Sequence, residues 1–139
     1  MKMTLAISVA LILSSVVYGQ TGNDPEHVIK RMFDTASFEG HDQKVIGRLG
    51  DAGAVLVTKI LAGRDLTSQT IDTALVVIEG SFADPNFVEA ANDRQPRTAL
   101  LLLRYLDLSA RDSALKKRIA DTAKYVQDRY AASLQAPKQ

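Results

Sequence analysis

The pattern of apolar and polar positions divides this chain near residue 20. Residues 4–18 (TLAISVALILSSVVY) carry no charge and are mostly apolar, with Lys2 before them, Gly19 behind them and a polar stretch from Gln20 to Asp24. From there to residue 134 the apolar positions recur at helical spacing, three and four residues apart, with no persuasive two-residue alternation. Asp24-Pro25-Glu26 has the order of a helix start: a capping carboxylate, a proline suited to the first helical position, and an acid in the first turn. Val28, Ile29, Met32, Phe33 and Ala36 then lie on one face, and Gly40 is expected to end that helix. A short polar helix is expected over residues 41–49. Asp51 is read as the cap of the next helix, which carries Val55, Leu56, Val57, Ile60 and Leu61 and stops at Gly63.

Thr67 opens a further helix. Its run Leu75-Val76-Val77-Ile78 is rich in β-branched residues and permits a strand. The Thr67 capping signal and the Ile71, Ala74, Leu75, Ile78 spacing favour helix. Residues 83–86 read as a turn and 87–91 as a short helix. After Pro96 comes the most apolar helix, with Ala99, Leu100 to Leu103, Tyr105, Leu106 and Leu108. Apolar nearly all round, it is expected to be the central helix of the core. Asp112 caps the last helix, where Leu115, Ile119, Ala123, Val126, Tyr130 and Leu134 form a single stripe and Lys117–Asp121 and Lys124–Asp128 pair outside. The reading is therefore all-α: an α-solenoid-like stack of helical hairpins, or alternatively a compact irregular bundle.

Residues 49–61 (LGDAGAVLVTKIL) and 67–80 resemble the two helices of a HEAT or armadillo-type repeat. Residues 87–91 and 93–107 resemble a shorter second copy, in which Asp93 and Arg97 echo the Asp and Arg that precede the Ala-rich apolar helix of such repeats. The resemblance implies stacked helix pairs sharing one core, and a surface for a protein partner.

The basic start, the apolar run and the small residues Val17 and Gly19 together make a secretory signal peptide, cut after Gly19. The run is short of the roughly 20 apolar residues of a spanning helix, so no membrane anchor is expected after cleavage. The expected organisation is signal 1–19, linker 20–23, helical domain 24–134 and loose tail 135–139, exported to a periplasm or the extracellular space. Losing Lys2 takes the 17 Lys and Arg to 16, equal to the 16 Asp and Glu. A neutral mature chain has no overall attraction for nucleic acid. There is no cysteine, which excludes disulfides and thiolate chemistry, so packing alone must hold the domain.

Candidate chemistry is sparse. His27 and His41, with Glu26, Glu39 and Asp42 near them in sequence, define the alternative reading of a small metal-binding protein or enzyme, but their spacing matches no ligand motif. No nucleophile elbow is present, and the glycines at 47, 50 and 53 follow no strand and read as a tight turn between helices. No cofactor is expected. The polar cluster Asp93, Arg94, Gln95 and Arg97 is the candidate partner contact, because an arginine in a first helical turn opposes the helix dipole and seeks an anion. An internal Asp93–Arg97 pair is the structural alternative. Arg111, Lys116, Lys117 and Arg118 form a looser basic cluster diluted by nearby acids. The function these features point to is an exported helical-repeat module that binds or scaffolds other proteins.

Overall fold

The computed structural model describes residues 24–84 and 95–135. The signal segment, the linker, the expected short helix at 87–91, Asp93, Arg94 and residues 136–139 lie outside the described residues. Those described form six helices and no strand: α1 (Pro25–Thr35), α2 (Gly40–Ile46), α3 (Asp51–Leu61), α4 (Ser68–Ser81), α5 (Arg97–Ser109) and α6 (Ser113–Gln135). The described residues are all-helical in their regular structure, as the periodicity predicts.

Local chemistry starts most of these helices where expected. The Asp24 carboxylate accepts from the His27 amide, with Pro25 in the first turn. The Thr67 hydroxyl accepts from the Thr70 amide, and the 75–78 run lies within α4. The Asp112 carboxylate accepts from the Leu115 amide. The end of α1 differs from expectation. It stops at Thr35, where Ala36 takes a left-handed conformation with φ 55°, and Gly40 begins α2 instead. At this end the Thr35 hydroxyl donates to the Arg31 carbonyl and shares a hydrogen bond with Ser37 Oγ, four residues before the expected stop.

Two helical hairpins, α3/α4 and α5/α6, lie side by side, α3 against α5 and α4 against α6. This arrangement is consistent with a helical bundle or with repeat-like pairing. Both α1 and α2 pack on α4, and α1 also on α3. The centre of the molecule is therefore α4, and not α5, the helix that its nearly all-round apolar pattern leads one to expect. Ile71, Ala74, Leu75, Val77 and Ile78 are all at most 1% exposed. Composition alone misplaces the centre because α5 has strong packing neighbours only in α3 and α6 among the described helices. Its remaining side is left to solvent.

Two glycines set how closely the elements meet. Gly50, at φ 56°, turns the chain into α3 and donates its amide to the Ser81 carbonyl at 2.7 Å. A Cβ on Gly53 would stand 2.0 Å from Ser81 Oγ, so only glycine lets α3 approach α4 at this height. Ser81 itself is fully buried and bonds the Val77 carbonyl at 2.8 Å.

Candidate functional site

The exposed side of α5 is the most unusual surface of the described residues. Leu101, Tyr105 and Leu108 are 67%, 56% and 77% exposed. Spaced by four and three residues, they share one helical face. The opposite face of the same helix, with Ala99, Leu102, Leu103 and Leu106, is buried. Leu101 and Tyr105 form one wall of an apolar groove of about 560 Å³. The far wall comes from Thr58 and Leu61 of α3 and from Leu66 in the connection to α4. A row of three apolar side chains held in water costs solvation energy that burial would recover, and such patches mark contact surfaces.

The groove is held in shape by polar clips on both walls. The Asp51 carboxylate, nearly buried, accepts from the amides of Thr98 at 2.9 Å and Ala99 at 2.7 Å. It thus caps α5, a helix 47 residues away, while Gly50 occupies the cap position of its own helix. A carboxylate at the positive end of α5 locks that helix to α3. On the far rim Arg64 bonds Asp34 at 2.6 Å and stacks over the Phe33 ring at 5.5 Å. The Arg64 and Lys30 contacts hold the Asp34 carboxyl below its ordinary range. Arg104, on the exposed side of α5, has no ion-pair or hydrogen-bond partner among the described residues.

Gln95 and Arg97 are brought together: Arg97 Nε donates to Gln95 Oε1 at 3.1 Å. Both line a smaller hollow of about 230 Å³ with Pro96, Leu100, Gln127 and Tyr130. The Asp93–Arg97 alternative and any role of Arg94 fall outside the described residues. Three of the four residues of the looser basic cluster are engaged, and Arg111 stays exposed. Lys117 pairs with Asp121, Lys116 bonds the Asp107 carbonyl, and Arg118 pairs with Asp72.

His27 and His41 are both exposed, and the carboxylates near them have other partners. Glu26 pairs with Lys59 at 3.1 Å, and Asp42 is buried against Arg31 and accepts from the Glu39 amide at 2.8 Å. Burial pushes the Asp42 carboxyl up, but the hydrogen bonds from Arg31 and Glu39 outweigh it and leave it below the usual range. No group of three or more His, Cys, Asp or Glu able to hold a metal occurs among the described residues. No helix among them is long and apolar enough to cross a membrane.

No family model, curated protein or solved structure matches the chain.

The groove is not legible in the sequence pattern, which places the apolar residues of this helix in the core. A signal for an exposed face is present: Leu101, Tyr105 and Leu108 lie opposite Ala99, Leu102, Leu103 and Leu106. An all-round apolar helix needs cover on every side, and the chain supplies few elements to provide it.

Proposed function

We propose that this chain is an exported helical module, built from HEAT-like helix pairs, that binds a partner protein along α5. The exposed apolar face of α5 beside its groove is the observation that carries this reading. Stacked helices with such a face offer an extended surface for another protein. The leader-like residues 1–19 support export. In this reading Gln95 and Arg97 belong to the polar rim at the start of α5, as interfaces place polar groups around an apolar centre, and Asp93 and Arg94, which precede them in the sequence, are proposed to contribute to the same partner contact.

The test is affinity capture from the envelope and secreted fractions of the protein's own host, with wild type and Leu101→Asp as baits. Leu101 is exposed, so the substitution is expected to leave the melting temperature nearly unchanged. The expected result is a partner protein retained by wild type and lost by Leu101→Asp. Identical capture by both baits overturns the assignment of this face.

A further inference from the structure

We infer that the segment docking on α5 is an acidic amphipathic helix of a partner protein; this rests on the docking reading above and specifies its occupant.

The first argument is charge. The exposed side of α5 carries Arg104 beside Leu101 and Leu108, three residues after one and four before the other. Arg97, seven residues earlier, extends the same face toward the helix start, and Arg111 stands exposed just past the helix end. The one carboxylate within α5, Asp107, is turned to Lys116, whose Nζ lies 3.7 Å from its Oδ1. The face is thus apolar and cationic together. A partner matching it has apolar side chains flanked by Asp or Glu.

The second argument is backbone satisfaction. Every described element is a helix, so there is no open strand edge here to pair with an extended peptide. An extended segment lying in an apolar groove would bury its own amides and carbonyls without partners, whereas a helix arrives with them already bonded. The contact spans two helical turns from Leu101 to Leu108, about 10 Å of axis. That matches a short helix presenting apolar residues at three- and four-residue spacing.

The third argument excludes rivals. A second copy related by a two-fold axis would set the cationic face of α5 against itself. An anionic bilayer would satisfy the charges but is engaged by protruding surfaces, and part of this site is a groove.

The experiment uses the full chain in its own host, with photoreactive benzoyl-phenylalanine in place of Leu108. After irradiation, mass spectrometry identifies the cross-linked segment. That segment is then synthesised as a labelled peptide and titrated against the full chain by fluorescence anisotropy. The expected segment has helically spaced apolar residues and flanking carboxylates. Arg104→Glu is expected to weaken the peptide about tenfold or more, Arg104→Lys much less, and added salt is expected to weaken it as well. Lys124→Glu, on α6, should leave affinity unchanged.

A cross-linked protein segment without carboxylates, or one indifferent to Arg104→Glu, overturns the acidic helix and leaves docking on α5 standing. A cross-link only to a second copy, to residues 1–23 or 85–94 of the same chain, to lipid, or to nothing overturns both readings.

Discussion

Asp51 shows how much one side chain can do when it serves an element other than its own. By sequence it stands where a helix cap stands, yet its carboxylate reaches the amides of Thr98 and Ala99. Those donors would otherwise be left unsatisfied at the start of α5, where Pro96 precedes the helix and supplies no side-chain cap. Asp51→Ala removes both bonds and the charge at the helix end. We expect it to destabilise the protein by about 2 kcal/mol, the upper end for a lost cap, because this one is nearly buried. Thr67→Ala removes a cap on the surface and should cost less, about 1 kcal/mol. Urea unfolding of the two variants separates the roles. Equal losses would mean that Asp51 acts only as an ordinary helix start.

At the scale of the element, α5 has two faces with opposite consequences. Leu102 is 6% exposed and packs in the core, while its neighbour Leu101 is mostly in water. Leu102→Ala is expected to cost about 2–5 kcal/mol through lost burial and the cavity left behind. Leu101→Ala should change stability by less than about 0.5 kcal/mol, as should Lys124→Ala on the wet face of α6. Thermal unfolding of the three variants checks this. A Leu101→Ala variant as unstable as Leu102→Ala would show that the α5 face is covered in solution. The 3.6-residue period made both faces visible in the sequence, since 99, 102, 103 and 106 fall opposite 101, 105 and 108. It did not say which face lies inward, because both are apolar and the choice depends on where α3 and α6 sit.

At the scale of the whole molecule, acid stability is a joint property of the ion pairs that tie helices together. Asp42 links α2 to α1 through Arg31, and its folded carboxyl titrates below the unfolded value. A depressed carboxyl stabilises the fold above the unfolded value, about pH 4, and that contribution is lost as pH falls through the lower folded value. Wild type is therefore expected to lose stability as the solution is acidified below about pH 4. Asp42→Asn should be less stable at pH 7 and show a shallower loss over the same range. Chemical denaturation at pH 7 and across the acid range measures both. Parallel pH profiles for the two proteins would remove Asp42 from the account.

Helix type and most starts were determined by the sequence itself, because they rest on neighbours within a turn: Asp24 with His27, Thr67 with Thr70, Asp112 with Leu115. The surface pairs Lys117–Asp121 and Lys124–Asp128 are local in the same way. Tertiary structure decided what depends on residues far apart. It made α4 the centre, since α1, α2, α3 and α6 converge on it. It sent Asp51 to a helix 47 residues away, and it left one apolar face of α5 in water. Those outcomes depend on which elements meet in space, and chain spacing carries no record of that.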